Sequence, residues 1–365
     1  MWADVSALLE DAVSRDLFPG AAVCVRTPEQ VLFSTAAGSA QVSPAVRAAS
    51  THTPWDLASI TKVLGTTPLL MRLVGTGRLS LDAPLTDILP DAPAGVTASH
   101  CLSHTSGLPP WRRLFIDLPD QTAWGSAEAR AQALRLAYTT PTTARPGRRY
   151  AYSDLGMMLL CAAVEALTGQ RLDALWHAEV GARCGADLRW GWPGDAAATE
   201  DCPTRGRVLV GEVHDLNTAV LGGVSSHAGL FGTAESAAAA AAWQLRAWGG
   251  ERGEGLEPEV VRHFWSYQAA GSHKLGWDGV TPGASTAGPR WPLDGVGHTG
   301  FTGGVLWVAP QQGIVAAFCS NRVHPEVEGG AVPGATGPRT VAFRALRPQL
   351  FTAIVEALEA EDRWS

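Results

Sequence analysis

A serine and a lysine stand three residues apart in the segment 56–63 (DLASITKV). If Ser59 opens a helix, residues i and i+3 share a face, and Lys62 lies within reach of the serine hydroxyl. The amino-terminal end of a helix carries free N–H groups and partial positive charge, which favour a neutral lysine and a developing anion. A neutral Lys62 could accept the proton of Ser59 and make the hydroxyl a nucleophile. The alternative is a capping serine beside an exposed lysine, because a lone Ser-x-x-Lys pair is a weak motif.

The use of cations in the chain supports the first interpretation. Lys62 and Lys274 are its only lysines, and every other side chain of fixed positive charge is arginine. Lysine can lose its proton near neutral pH when it is desolvated, whereas arginine cannot. The preference for arginine elsewhere therefore singles out Lys62 as a position where a guanidinium would not substitute.

A second polar group occupies the segment 150–154 (YAYSD), immediately before an apolar helical pattern. The Tyr152 hydroxyl could relay a proton beside Ser59 and Lys62, with Asp154 holding the lysine by an ion pair. The alternative is that Ser153 or Asp154 simply caps the helix, since both residue types are preferred at that position.

A third segment, 297–304 (GHTGFTGG), leads into an apolar strand pattern at 305–308. Glycines at such a place let a substrate approach the strand closely. Backbone N–H groups at an exposed strand edge can bind a carbonyl oxygen or a peptide-like substrate. An ordinary glycine-rich turn is the alternative.

Composition limits the partners and the compartment. The net charge of -7 argues against nucleic acid, because phosphate binding needs a basic face. No run of about 18 apolar residues exists, so no membrane insertion is expected. The six cysteines form no C-x-x-C pair and predict free thiols in a reducing compartment. The first residues lack a basic stretch before an apolar run, so we expect a helix and a cytoplasmic protein, although removal of a leader would leave the same sequence.

No cofactor and no metal site is predicted. His100 and His104 have the spacing of a ligand pair, but no H-E-x-x-H motif exists, and a structural role is expected for His104. No G-x-S-x-G motif supports an α/β-hydrolase. Other candidates are assigned structural positions: packing for His214 and His227, a solvated loop for Glu200 and Asp201, and mainly the core for Trp190, Trp192, Trp277 and Trp291.

The pattern of elements predicts how these segments come together. A helix at 3–16 and a hairpin at 21–26 and 31–37 begin the chain, and a helix follows Ser59 to Gly75, with a kink possible at Pro68. Further helices are predicted at 126–137, 154–167, 234–248 and 340–360, and a second hairpin at 303–309 and 314–320. We therefore expect an α/β (α+β) fold in which residues 1–75 and 270–365 form one lobe, with an antiparallel sheet flanked by terminal helices. Residues 76–269 would form a mainly helical lobe, with the site in the cleft between the lobes.

In this order, the three motifs resemble those of the serine β-lactamase and penicillin-binding protein superfamily. The similarity is greatest to its class C-type branch, which also contains esterases and D-amino-acid-specific peptidases. The segment 102–109 (LSHTSGLP) resembles a characteristic segment of that family, as do 211–215, 227–231 and 320–325. The resemblance spans roughly residues 15 to 355.

The resemblance implies a role for each matching residue. Ser59 would be acylated, Lys62 would take its proton, and Tyr152 would shuttle the proton and later activate water. The backbone N–H groups of Ser59 and Phe301 would form the oxyanion hole. The substrate-binding positions that it implies are Asp154, His298, Thr299, Gly300 and Phe301.

Two positions depart from the family pattern. Asp154 stands where asparagine is usual; it can hold Lys62 but opposes a neutral lysine, so Tyr152 would bear more of the base work. His298 replaces the lysine of the third motif and is only partly charged near neutral pH. A fixed cation there is thought to attract the carboxylate of a β-lactam. Both departures weaken the prediction of an antibiotic-destroying enzyme.

We therefore predict a serine hydrolase that forms an acyl-enzyme on Ser59 and acts on small esters or amides. A true β-lactamase, a D-Ala-D-Ala carboxypeptidase or a D-aminopeptidase is the alternative. A non-catalytic binding protein of the same fold is disfavoured, because Ser59, Lys62 and Tyr152 are all present. The expected partner is a small-molecule ester, amide or β-lactam, and the sequence does not indicate an oligomeric state.

Overall fold

A computed structural model describes residues 2–119, 121–253, 255–328 and 337–364. The strands are β1 (Gly20–Arg26), β2 (Val31–Gln41), β3 (Arg47–Ala48), β4 (Trp55–Asp56), β5 (Leu188–Trp190), β6 (Ala198–Cys202), β7 (Arg207–Val210), β8 (Leu230–Gly232), β9 (Asp278–Gly279), β10 (Val296–Thr299), β11 (Val305–Ala309) and β12 (Ile314–Ser320). The α-helices are α1 (Trp2–Ser14), α2 (Thr67–Gly75), α3 (Ala98–Leu102), α4 (Leu114–Asp117), α5 (Ala127–Tyr138), α6 (Asp154–Thr168), α7 (Leu172–Trp176), α8 (Leu216–Val220), α9 (Ala234–Gly249), α10 (Pro258–Ser266) and α11 (Pro338–Glu359).

Strands from both ends of the chain build the largest sheet. Its order among the described strands is β3-β2-β1-β12-β11-β10-β9, and adjacent strands pair antiparallel. The pairing of β1 with β12, from Ala21 opposite Ser320 to Arg26 opposite Val315, joins the amino-terminal hairpin to the carboxy-terminal one. The predicted α/β (α+β) class, with an antiparallel sheet beside the terminal helices, is confirmed.

Both faces of this sheet are covered. Alternate β1 residues point to opposite sides, as the pleat of a strand requires. Ala21, Val23 and Val25 join the core shared with α1 and α11, whereas Ala22 and Cys24 join the core shared with α9. Burial on both faces explains why β1, β11 and β12 are apolar almost throughout rather than alternating.

The middle of the chain contains the other helices that support the site. α6 packs against α5 and α3 and is buried from Leu155 to Val164. α9 also lies within residues 76–269, but it packs across β1 and β12 and so covers the sheet. Its alanines permit this close approach. The division into lobes at these boundaries stays a prediction.

Length and hydropathy decide whether a helix in the described ranges could cross a membrane. In that part of the chain, no single helix combines the length and the hydropathy needed to do so. One bent pair, Asp154–Thr168 with Leu172–Gly181, meets both criteria when taken together, with 77° between its two parts.

Candidate active site

Ser59 and Lys62 meet at the start of a helical segment, as their spacing predicts. The Lys62 Nζ donates hydrogen bonds to the Ser59 Oγ over 2.9 Å, to the Asp154 Oδ1 over 2.7 Å and to the His227 carbonyl over 3.4 Å. Lys62 is 0% exposed, whereas Ser59 is half-buried and faces a cavity. The alternative of an exposed lysine beside a capping serine is therefore wrong.

The segment that carries these two residues is not a continuous α-helix. A 3₁₀ turn at Ala58–Ile60 is followed by a π-helical turn at Lys62–Thr66 and then by α2. Pro68 lies in the first turn of α2 rather than at a kink within a longer helix. Side chains bind the carbonyls of the π-helical turn: Thr67 Oγ1 to Lys62, Gln244 Nε2 to Val63 and Trp176 Nε1 to Leu64.

Strained backbone precedes the serine. Ala58 has a φ of 44°, which is costly for a residue with a Cβ. The Asp56 carboxylate stabilises the turn, because it accepts the Ala58 N–H over 2.8 Å and the His214 N–H over 2.7 Å. Burial raises the pKa of Asp56, and these two N–H donors oppose that effect. Asp56 was not among the residues predicted from the sequence; an Asx-type turn two residues before the strained position is the signal that could have identified it.

The second motif makes both the helix cap and the ion pair considered for it. The Ser153 Oγ accepts the Gly156 N–H over 3.1 Å and so caps α6, while its hydroxyl donates to the Pro109 carbonyl over 2.7 Å. Asp154 is the first residue of α6 and is therefore free to bind Lys62. Capping and the ion pair are thus compatible rather than alternative.

Two opposite effects were expected on the charge of Lys62: the helix end favours a neutral amine and Asp154 favours an ammonium. Burial acts to lower the pKa of Lys62, but the Asp154 carboxylate, to which Lys62 is hydrogen-bonded, and the nearby Tyr152 outweigh that effect and raise the pKa. The raised pKa favours an ammonium at Lys62, in agreement with the opposition expected from Asp154 and against the neutral lysine expected from the field of a helix end. An anion at 2.7 Å dominates the weaker field of a short helical turn.

Tyr152 lies against the ammonium group. The Lys62 Nζ is 4.8 Å from the centre of the Tyr152 ring, and Tyr152 lines the same cavity as Ser59. Burial raises the pKa of Tyr152, and the nearby positive charge of Lys62 lowers it in part. The structure thus brings together Ser59, Lys62, Tyr152 and Asp154.

The third motif forms the opposite wall. His298 and Thr299 end β10, and Gly300 follows, where a Cβ would meet the Leu57 carbonyl oxygen at 2.8 Å. The Thr302 hydroxyl donates to the Asp56 carbonyl over 2.7 Å and fastens this segment to the nucleophile turn. Within the described residues, neither the Ser59 nor the Phe301 N–H donates to a protein acceptor.

His298 is neutral rather than partly charged. Burial, and then the charges of Lys62 and His273, place the pKa of His298 well below its ordinary value. Its Nδ1–H donates to the Thr299 carbonyl over 2.8 Å, which leaves Nε2 buried without a protein partner in the described structure. The position therefore supplies no fixed cation.

Two more histidines surround Tyr152. The ring of His104 lies 4.3 Å from that of Tyr152, and the ring of His273 lies 5.6 Å away. His104 Nδ1 accepts the Ser153 N–H over 3.1 Å, so its expected structural role is observed, although its Nε2 has no protein partner within the described ranges. Burial lowers the pKa of His273 to about 4 and that of His104 well below its ordinary value. His273 was missed, and nothing in its local sequence indicates this position.

Metal binding has no support from these groups. His100 Nδ1 accepts the Thr97 N–H and completes a capping box at α3, so it serves a different contact from His104. In the described ranges, no group of three or more histidine, cysteine, aspartate or glutamate side chains is placed to hold a metal ion. All six cysteines are buried and unpaired.

Glu200, for which the sequence predicted a solvated loop, is buried instead. Glu200 lies on β6, is 9% exposed, and its Oε2 is 3.2 Å from the His214 Nε2. His214 in turn stacks on Phe301, with 5.5 Å between ring centres. Solvation was the wrong prediction for Glu200, because its partner is brought near only by the tertiary fold. Asp201, the next residue, is exposed.

A cavity of about 1160 Å³ is lined by Ser59, Tyr152, Asp154 and His298, among others. Aromatic and aliphatic side chains on and around α4 line one side, where Phe115 packs against Trp111 and Trp124. The four tryptophans assigned mainly to the core do not line the cavity: Trp277 and Trp291 are buried, and Trp190 and Trp192 pack partly buried against hydrophobic clusters. The cavity therefore offers an apolar wall opposite a polar reaction centre.

Comparisons with known proteins agree with this architecture. A family model described as Beta-lactamase matches residues 5–335. An N-acetylmuramyl-L-alanine amidase of Bacillus subtilis is 28% identical over an alignment of 398 positions, covering 96% of this chain and 88% of that protein. A provisionally named D-alanyl-D-alanine carboxypeptidase of Escherichia coli is 30% identical over 332 positions, covering 79% of this chain and 76% of its own.

Solved structures share the fold at lower identity. EstCE1, described as a hydrolase with promiscuous acyltransferase activity, superposes with a TM-score of 0.72 at 21% identity and covers 94% of this chain and 97% of its own. A mutant of simvastatin synthase from Aspergillus terreus gives 0.71 at 17% identity, with 98% and 95% covered. The two sequence relatives are named as hydrolases. The chain belongs to the Beta-lactamase family.

Proposed function

We propose that the protein is a serine hydrolase that forms an acyl-enzyme on Ser59. The observation that carries this proposal is the hydrogen-bonded chain from the Ser59 hydroxyl to Lys62 and on to Asp154, at distances of 2.9 and 2.7 Å. A hydroxyl that faces a cavity and accepts a hydrogen bond from a buried cation is placed for proton removal and attack.

The proton of Ser59 passes to the pair formed by Lys62 and Tyr152. At rest Lys62 is an ammonium and Tyr152 a neutral phenol, because the pKa values of both are raised. The active form is the one in which this coupled pair has lost a proton, so it can accept one from Ser59. Tyr152, whose ring lies against the Lys62 Nζ and which lines the same cavity as Ser59, returns the proton to the leaving group.

The tetrahedral anion forms beside two unpaired donors. The N–H groups of Ser59 and Phe301 have no acceptor in the described protein, so both are available to the substrate oxygen. The Lys62 ammonium lies behind the serine and adds positive potential. Loss of one such donor typically costs about 2.7–4 kcal/mol of transition-state stabilisation.

The substrate is an ester or amide larger than the small acyl esters suggested by the sequence. The cavity of about 1160 Å³ exceeds what a short acyl chain would fill. The relatives named as an amidase and a carboxypeptidase support amide bonds as well as esters. β-Lactam hydrolysis is the second candidate, and it is less favoured because His298 is neutral.

A fluorophosphonate probe followed by peptide mass spectrometry tests the nucleophile. We expect modification of Ser59 and, in Ser59→Ala, a loss of ester hydrolysis by a factor above about a thousand. Ser14→Ala, on the exposed face of α1, is the matched control and should retain both labelling and activity. Residual activity of Ser59→Ala within about tenfold of the wild type would sink the assignment. A folded wild-type protein that never labels would instead indicate a binding protein.

The ratio of kcat/KM for a 4-nitrophenyl ester to that for a chromogenic cephalosporin ranks the two candidate substrates. We expect a ratio far above one. A ratio far below one would make β-lactams the preferred class and esters the second candidate.

A further inference from the structure

Three of the four described arginines that line the cavity lie near one another. Arg322 follows β12, and Arg344 and Arg347 lie one turn apart on α11. These three residues are called the arginine cluster. The same cavity contains Ser59, so a substrate bound at the serine could extend to this cluster.

None of the three has a carboxylate partner in the described part of the chain. Arg322 is held by its Nε, which donates to the Phe301 carbonyl over 3.1 Å, and its guanidinium lies 5.2 Å from the centre of the Phe301 ring. Arg347 lies over the ring of Phe343 at 5.5 Å, and its Nε is buried without a hydrogen-bond acceptor among the described residues. Stacking on aromatic rings fixes the guanidinium groups without neutralising them.

The acidic side chains that line this cavity are engaged elsewhere. Glu328, which is nearest the cluster, accepts the N–H groups of Arg339 and Thr340 at the start of α11 over 3.0 and 2.5 Å. The carboxylates of the remaining acidic wall residues contact lysine, histidine or backbone N–H groups of the protein; they are Asp56, Asp154, Glu200, Asp215 and Asp278. The sequence of residues 329–336 contains no acidic residue. Apart from Glu328, whose charge acts on Arg322, no described carboxylate offsets the positive charge of the cluster.

Placing these cations together is unfavourable in the unliganded protein. Burial, followed by the charges of neighbouring arginines, lowers the pKa of Arg322 and of Arg347 to about 10. For Arg347 the opposing charges are those of Arg322 and Arg344. An anion between them would relieve this repulsion and supply acceptors for the unpaired N–H groups.

We propose that the arginine cluster is an anion-binding subsite, which takes a carboxylate or phosphate group that the ester or amide substrate carries away from the bond to be cleaved. The proposal rests on the hydrolase function proposed above, and it narrows the substrate to an anionic class. Guanidinium forks suit both anions, because each can accept two parallel hydrogen bonds from one arginine. The neutral His298 leaves this cluster as the cationic part of the cavity wall best placed to select charge.

Calorimetric titration of the Ser59→Ala protein tests the subsite without turnover. Succinate represents the carboxylate source, inorganic phosphate the phosphate source, and succinamide the uncharged control. We expect saturable binding of one anion per protein, no binding of succinamide, and affinity at least tenfold lower in Arg344→Gln/Arg347→Gln. Tighter binding of succinate indicates a carboxylate-bearing substrate, and tighter binding of phosphate indicates a phosphate-bearing one.

Arg290→Gln is the matched control, because Arg290 pairs with Glu356 and Glu359 at the other end of α11 and lies outside the cavity. Like the double variant, Arg290→Gln removes positive charge from α11 or its surroundings, but it should leave anion affinity unchanged. Binding of neither anion, or equal binding by the double variant, would overturn the subsite. A thermal unfolding scan of each variant confirms that it is folded. Because binding is measured without turnover, its failure leaves the hydrolase proposal standing, and absence of neutral-ester hydrolysis by the wild type would count against that proposal alone.

Discussion

Two parts of the cavity wall, called the nucleophile end and the arginine end, differ in whether their charges are paired. At the nucleophile end, around Ser59, the Lys62 ammonium is fully buried and bound to Asp154 at 2.7 Å. At the arginine end, Arg322, Arg344 and Arg347 are held near one another with no described carboxylate partner. Internal pairing fixes reacting groups in one geometry before the substrate arrives, whereas charge left unpaired has its complement outside the protein. On the two proposals made above, the part of the site that performs chemistry is distinct from the part that selects a substrate.

Replacing the cation at the nucleophile end gives the largest expected effect. Lys62→Arg keeps the positive charge, but a guanidinium cannot give up its proton, and the fully buried position has no space for a larger group. We expect kcat/KM for a neutral ester to fall by about a thousandfold or more. A near-normal Lys62→Arg enzyme would mean that Lys62 acts only by its charge and that Tyr152 alone is the base.

Stability measurements contrast paired with unpaired charge directly. Asp154→Ala leaves Lys62 buried without its partner and should lower the free energy of unfolding by about 3 kcal/mol. Arg347→Gln removes a cation that its neighbours repel, so we expect the free energy of unfolding to stay within about 0.5 kcal/mol of the wild type or to increase. Urea denaturation at pH 7 measures both. Equal destabilisation by the two variants would erase the distinction between the two ends.

The pH profile reports on Asp154 without removing its side chain. Asp154→Asn keeps an oxygen for Lys62 but deletes the charge that raises the pKa of Lys62, so the lowering effect of burial prevails. Since the active form has lost a proton from the Lys62–Tyr152 pair, kcat/KM rises with pH, and this rise should move to lower pH by about one unit or more in the variant. A rise at the same pH as in the wild type would show that Asp154 does not control the proton of the pair.

Local sequence predicted the nucleophile end far better than the arginine end. Ser59 and Lys62, like Tyr152 and Asp154, are neighbours in the chain, so helical spacing and capping rules apply to them directly. The sheet could be predicted from the sequence equally well, because the hairpins at both ends of the chain show strand patterns with turn residues between them. The resemblance already implied that Asp154 opposes a neutral Lys62, but the distance of 2.7 Å between the two groups is set only by the fold.

The remaining features of the site depend on contacts between segments that are distant in the sequence. His273 reaches Tyr152 from more than a hundred residues away, and Glu200 acquires His214 across the β6–β7 ribbon. Arg322 and Arg347 come together because α11 packs beside the end of β12, and no short motif contains both. Arginine is a common surface residue, so the residue type alone does not indicate the role of Arg322 or Arg347. That role depends on the lack of a described carboxylate that pairs with them.

Salt should distinguish the two ends by the smallest but most specific effect. Screening over about 10 Å at 0.1 M ionic strength weakens interactions of partly exposed charges, while a buried pair such as Lys62 and Asp154 is affected much less. The informative pair of substrates is the mono-4-nitrophenyl ester of glutarate, which carries a free carboxylate, and the uncharged 4-nitrophenyl valerate of the same chain length. Between about 0.02 and 0.5 M NaCl, kcat/KM should fall several-fold for the anionic ester and by less than about twofold for the neutral one. In Arg344→Gln/Arg347→Gln the two esters should respond alike, because the charge that attracts the carboxylate is gone; a salt response that persists in this variant would place the attraction elsewhere on the molecule.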